Sequence, residues 1–364
     1  MAGPRETIWE IPPHTRAKHE ILRRYLQAWF PILNRWNGRI VYIDGFCGPG
    51  GYKGGEPGSP LIALDVAINH RRTMSSELLF TFIDEREDRI VHLREELRRL
   101  PAPPLHFKVS VQLGKFDEKL QSVLDYIDAK GARLAPTFAF IDPFGFSGIP
   151  FALIERLLKQ RRCEALITFM VDAINRFLEH PQNKVVSHIV EAFGTDQATS
   201  IAESSGNRID RLRELYQAQL RRVAKFVRYF EMRDQKNRPQ YYLFFASNHE
   251  VGHLKMKEAM WAVDPEGEFR FSDATDPNQR VLFGSEPSAA LPRELRKQYR
   301  GKGMLSVRAI RKYVENETPY LSKHMRRALS KEEVEGKIKV EPMKADGRRR
   351  RAATFPDDAW ITFI

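Results

Sequence analysis

The stretch Arg39-Ile40-Val41-Tyr42-Ile43-Asp44-Gly45-Phe46-Cys47-Gly48-Pro49-Gly50-Gly51 decides the fold. It is a short apolar run closed by an acid and followed at once by a glycine-rich turn. A run of that length and character suits a strand buried on both faces of a parallel sheet. Glycines at 48 and 50 let the backbone turn tightly and approach a ligand with no Cβ in the way. Working outward, the pattern recurs: apolar runs at 78–84, 107–111, 137–142 and 165–172 alternate with helical stretches. Asp44, Asp84, Asp142 and Asp172 close four of these runs. Their separations, 40 residues from Asp44 to Asp84 and 30 from Asp142 to Asp172, fit βαβ units. The predicted fold is α/β, a Rossmann-like, doubly wound and mostly parallel sheet.

Around this core, residues 15–30 read as an amphipathic helix, with Ile21, Leu22, Tyr25, Leu26 and Trp29 at helical spacing. Polar, charged helices about 175–235 read as an insertion. A strand at 241–246 and a helix at 252–261 then complete the sheet edge. The expected domains are 1–265, a linker at 266–292, and a small winged-helix-like module at 293–364. That module is read as helices at 307–314 and 320–331, followed by strands at 336–340 and 359–363.

The bulk numbers narrow the function classes. The 364 residues carry a net charge of +12, and 19 Lys and Arg against 10 Asp and Glu fall after residue 290. Basic excess gathered in one segment points to a polyanionic partner, nucleic acid, or else to a solvated basic face. Two cysteines, Cys47 and Cys163, are too few for a disulfide framework or a cysteine-based zinc site, so no metal is expected. No apolar run reaches the length of a membrane span, and no apolar leader opens the chain. A reduced, cytoplasmic protein is the expectation.

In an open parallel sheet, ligands bind outside the carboxyl ends of the strands, where strand order reverses. A single Asp there often only caps the next helix; four of them, beside a glycine-rich loop, point to a site. The loop lacks the third glycine of the dinucleotide fingerprint, where Lys53 stands, and no Gly-Lys-Ser/Thr follows for a Walker-type loop. Asp44-x-Phe46-x-Gly48-x-Gly50 instead resembles motif I of S-adenosylmethionine-dependent methyltransferases of class I. On that reading Asp44, Phe46, Gly48, Gly50 and Asp84 hold the cofactor. Asp84, or the adjacent Glu85, accepts the ribose hydroxyls.

Asp142-Pro143-Phe144-Gly145 resembles motif IV of amino-methyltransferases, whose usual form is Asp/Asn-Pro-Pro-Tyr/Phe. The task is to hold an exocyclic NH2 with its lone pair toward the methyl group. Asp142 and the Pro143 carbonyl accept the two N–H bonds, and Phe144 stacks on the base. Gly145 at the usual aromatic position leaves adenine or guanine open. His14 and Lys18, four apart, extend the apolar stripe of the first helix. They point into the cleft toward the cofactor's carboxylate, or reach water from a helix end. Ser59 reads as a helix cap with Pro60 behind it. Asn175-Arg176 reads either as a phosphate contact or as an ordinary helix start. Lys323, Arg326 and Arg327 on a helix, with Arg348, Arg349 and Arg350 in the wing, fit backbone binding to nucleic acid.

A wider resemblance joins 13–19, 42–46 with 55–61, 140–145, 175–177 and 255–261. These segments are similar to the three-Cys-motif partner protein family, TcmP, over essentially the whole chain. The resemblance implies a methyltransferase-like fold and a partner carrying a three-cysteine, radical-SAM-like motif. Cys47 stands where that family tends to have a small Ala. The expected activity is methyl transfer from S-adenosylmethionine to an exocyclic amine of a base, RNA ahead of DNA. The alternative is a non-catalytic nucleic-acid-binding adaptor for that partner.

Overall fold

The two central strands of this protein are short, mainly apolar runs that leave no face for water. Every residue of Thr137–Ile141 and of Cys163–Phe169 is buried. The computed structural model describes residues 4–35, 38–180, 183–202, 207–274, 288–341, 350–351 and 353–364. In its first unit, helix α1 (Pro13–Asn34) precedes β1 (Arg39–Asp44), α2 (Ser59–Ile68), β2 (Glu77–Asp84) and α3 (Glu87–Arg99). Then come β3 (Phe107–Leu113), α4 (Phe116–Ala129), β4 (Thr137–Ile141), α5 (Phe151–Lys159) and β5 (Cys163–Phe169). Four helices follow: α6 (Val171–Phe177), α7 (Asn183–Phe193), α8 (Gln197–Ala202) and α9 (Arg208–Val223). The unit closes with β6 (Phe226–Arg233), β7 (Pro239–Ser247), α10 (Glu250–Val263) and β8 (Arg270–Ser272).

The described strands of this unit form one sheet in the order β3-β2-β1-β4-β5-β7-β6-β8. From β3 to β5 all pairings are parallel; β7 runs antiparallel to both β5 and β6. β1 pairs β2 on one side and β4 on the other, so the strand order reverses between β1 and β4. The crevice at that reversal is where an open parallel sheet receives ligands. The chain is thus a mixed α/β protein with a large, mostly parallel sheet, as expected.

Three expectations need correction. β5 stops at Phe169, so Asp172 closes no strand; it lies in the first turn of α6 and pairs with Arg176 at 3.0 Å, one helical turn on. The insertion is helical only to Val223, because Phe226–Arg233 is a strand. Its charged residues sit toward the sheet edge, where half-exposed positions are tolerated, and this hid the two-residue period. Ser59 is the first helical residue of α2 and Gly58 is the cap. The side of α1 is as read: Ile21, Leu22, Tyr25, Leu26 and Trp29 are all buried.

The chain forms two compact units, Met1–Ala259 with Arg270–Asp276 and Met260–Phe269 with Pro277–Ile364. The second unit contains α11 (Leu291–Tyr299), β9 (Met304–Ser306), α12 (Val307–Glu317), α13 (Ser322–Val334), β10 (Ile338–Val340) and β11 (Trp360–Phe363). β11 pairs antiparallel with both β10 and β9. Helix α11 and strand β9, which complete this module, were missed in the charged sequence around them. Among the described residues, no helix is long and apolar enough to cross a membrane.

Candidate functional site

The turn after β1 is pinned to its neighbours by backbone bonds. Gly45 N–H donates to Phe140 O and Cys47 N–H to Ile83 O, each at 2.9 Å, tying the loop to β4 and β2. Gly50 has φ +88°, and a Cβ there would stand 2.8 Å from the Leu93 side chain, so only glycine fits. A Cβ on Gly45 would meet the Phe116 ring at 2.5 Å.

Beside this loop lies a cavity of about 550 Å³ in the first unit. It is walled by Gly45 and Phe46 after β1, Asp84 and Glu85 at the end of β2, Gly114 to Phe116 after β3, and Pro143 to Gly145 after β4. Its place at the carboxyl ends of four parallel strands follows from the topology. Its size falls within the range of small-molecule sites.

Asp44 sits directly behind Gly45, with no solvent exposure. Neither of its carboxylate oxygens has a well-formed hydrogen bond. Burial pushes this carboxyl up to about 7; the Ser59 hydroxyl and Phe46 amide partly oppose the rise, while Asp142 and Asp84 add to it. Asp84 is a different case. One oxygen accepts the Gly48 N–H at 3.0 Å and the other the Arg86 N–H at 2.9 Å, with the Arg89 guanidinium 3.8 Å away. Asp84 therefore shapes the loop, whereas the exposed Glu85 beside it opens on the cavity.

The rim carries an N-terminal strap that the sequence did not suggest. Arg86 donates to the Pro4 and Arg5 carbonyls at 2.6 and 2.9 Å, and Arg89 to the Pro4 carbonyl at 3.0 Å. Thr7 Oγ1 donates to Asp88 at 2.6 Å, and Lys53 N–H to the Trp9 carbonyl at 3.0 Å. Trp9 meets Tyr52 and Phe144 edge-on, at 5.6 Å each. The Arg89 guanidinium lies 5.0 Å from the Trp9 ring and 5.1 Å from the Phe144 ring. Its Nε is buried without a partner.

Asp142, the residue after β4, meets the first helix. Lys18 Nζ donates to both of its oxygens at 2.6 Å, and Thr168 Oγ1 on β5 donates to Oδ1 at 2.5 Å. Lys18 also stands 5.2 Å from the centre of the Tyr241 ring. His14 turns to Asp273, 2.7 Å away, and its ring packs edge-on against Tyr241. The two basic residues thus reach into the protein, as their stripe allowed, but to carboxylates of the chain. Burial, with Lys18 alongside, pushes His19 down to about 3, so it stays neutral near pH 7.

The cavity gathers Phe46, Asp84, Pro143 and Phe144 from the sequence reading. Gly48 and Gly50 are buried in the loop and Asp44 lies behind the wall. Thr168, Tyr241, Asp273, Trp9 and Arg89 were not foreseen. Only the strand-end position of Thr168 could have signalled one of them. Arg176, paired with Asp172, belongs to an ordinary helix turn.

In the second unit, Lys323, Arg326 and Arg327 are exposed on α13. Arg348 and Arg349 lie outside the described residues. Arg350 does not face outward: it pairs with Glu333, donates to the Thr354 carbonyl at 2.8 Å and packs on the Phe355 ring. Its side chain is 8% exposed, so its charge is neutralised within the module.

Residues 270–345 match the family model of the GMT-like wHTH domain. No curated protein matches the chain. Solved structures similar to it include a DUF519-family protein from Legionella pneumophila, at 14% identity and a TM-score of 0.40, covering 67% of this chain and 92% of that one. Trm1 from Pyrococcus horikoshii, solved with S-adenosylmethionine, is 14% identical with a TM-score of 0.37 over 71% of this chain and 61% of Trm1. Human methyltransferase-like protein 13, solved with S-adenosylhomocysteine, is 8% identical with a TM-score of 0.37 over 74% and 96%.

Proposed function

We propose that this protein is an S-adenosylmethionine-dependent methyltransferase acting on an exocyclic amine of a nucleic-acid base, RNA ahead of DNA. One observation carries the reading: Pro143 and Phe144, directly after Asp142, wall a 550 Å³ cavity at the strand-order reversal, beside a glycine loop backed by a fully buried carboxylate. The residues fit the cofactor. The Asp44 carboxylate is fully buried, and its field favours a ligand bearing positive charge, as the ammonium and sulfonium of S-adenosylmethionine do. Glu85, exposed at the cavity, suits the ribose hydroxyls.

When bound, S-adenosylmethionine would supply a methyl group on a sulfur that is already a good leaving group. The protein's work is then alignment. Asp142 accepts one N–H of the amine and the Pro143 carbonyl the other, while Phe144 walls the cleft. The wHTH domain, with Lys323, Arg326 and Arg327 on α13, holds the nucleic-acid backbone. A three-cysteine, radical-SAM-like partner, in a cytoplasmic setting, belongs to the same reading.

Calorimetry with S-adenosylmethionine, followed by transfer of labelled methyl to total cellular RNA and DNA, tests it. Asp142→Ala should leave cofactor affinity nearly intact and abolish transfer. Transfer retained by that variant would remove Asp142 from its role. No cofactor binding by the wild type would favour the adaptor instead.

A further inference from the structure

Given the methyl-transfer reading above, we infer that Lys18 is the positioning residue of the acceptor site: it aims the Asp142 carboxylate and cancels its charge, leaving one lone pair for the amine. A carboxylate offers about four lone-pair positions. Lys18 occupies one on each oxygen, and the Thr168 hydroxyl occupies a second on Oδ1. The position left over is on Oδ2. Asp142 thus accepts a single N–H, and the second must go to a backbone carbonyl, for which Pro143 is adjacent.

The frame around this pair is rigid. Lys18 projects from the buried side of α1 with its side chain only 7% exposed, against 20% for Asp142. The Tyr241 ring closes off the ammonium at 5.2 Å. Thr168 sits on β5, the parallel neighbour of β4, so two strands and one helix converge on one carboxylate. A pair this enclosed adds little net stability, because desolvation offsets most of the attraction. Its value lies in direction.

Charge gives the second reason. A lone carboxylate beside a sulfonium would attract that cation and turn toward it. With Lys18 bonded to both oxygens the pair is neutral overall. Asp142 then acts as an aimed acceptor for an uncharged amine rather than a counter-ion for the cofactor.

The test uses the full chain and two ligands that need no turnover. Sinefungin carries an amine where S-adenosylmethionine carries its methyl group; S-adenosylhomocysteine carries nothing there. The ratio of their affinities by calorimetry therefore reads the acceptor at the transfer position. The sinefungin amine is an ammonium near pH 7, so Lys18→Met, which leaves the Asp142 charge uncancelled, should raise the preference for sinefungin about tenfold, the worth of one hydrogen bond to a charged group. Lys18→Arg should stay near the wild-type ratio. Asp142→Asn should lower the ratio below wild type, and in the double variant the rise caused by Lys18→Met should disappear. If Lys18→Met fails to fold, Thr168→Val supplies the reading, with a smaller rise.

A ratio unmoved by Lys18→Met but lowered by Asp142→Asn overturns the role of Lys18 and leaves the methyl-transfer reading standing. A ratio unmoved by either variant removes Asp142 from the transfer position and the inference with it. Wild type that binds neither ligand overturns the cofactor reading on which both rest.

Discussion

Burial lifts the Asp44 carboxyl from its usual 3.8 to about 7. Between those values the folded chain keeps a proton that the unfolded chain releases, so this group lowers stability as pH rises through that window and adds no further change above it. Asp44→Asn should therefore raise the melting temperature of the ligand-free protein more at pH 8 than at pH 5, a difference readable by scanning calorimetry. A cationic ligand nearby favours the ionised form. Binding of S-adenosylmethionine near pH 6.5 should then release protons, seen as a dependence of binding heat on buffer ionisation, and Asp44→Asn should abolish the release. Asp84 and Glu85 divide similarly. Glu85→Ala should weaken cofactor binding about tenfold, the scale of one charged hydrogen bond, with the melt unchanged. Asp84→Ala strands two backbone N–H groups and should cost about 1–3 kcal/mol in denaturant unfolding. The strand-end position of Asp84 was legible in the sequence. That its oxygens already serve Gly48 and Arg86 was not, because backbone donors carry no letter.

Among the elements, those with a clean period were readable. The buried side of α1 follows the 3.6-residue stripe, and the runs in β1, β2 and β4 stand out because both faces are covered. β6 escaped because Arg228, Glu231 and Arg233 interrupt its apolar residues. A strand toward a sheet edge tolerates such charge, and single-chain patterning then resembles a polar helix. The glycine loop was legible for a physical reason: Gly50 is needed for both its φ and its contact. Gly50→Ala should cost about 1–3 kcal/mol, through a left-handed backbone and the clash with Leu93. Cofactor affinity should fall in parallel, and a melt unchanged by this substitution would show that the loop relaxes freely.

At the scale of the whole molecule, the uneven charge was the guide, and the wHTH match to residues 270–345 agrees with where it falls. Charge counting could not tell which cations face outward. Reversing Lys323, Arg326 and Arg327 to Glu should weaken RNA or DNA binding and flatten the log affinity against log salt slope by roughly 0.7–0.9 per cation lost. Arg350→Ala should leave that slope unchanged and lower the stability of the module, since Glu333 loses its partner. A flattened slope in that variant would place Arg350 on the nucleic acid after all. The strap bears on handling the protein in the laboratory. Pro4 is held at the cavity rim by its carbonyl, and Arg5 lines the cavity itself. An affinity tag or fluorescent reporter fused ahead of it would emerge at the mouth of the cavity, where it would obstruct small-molecule titrations.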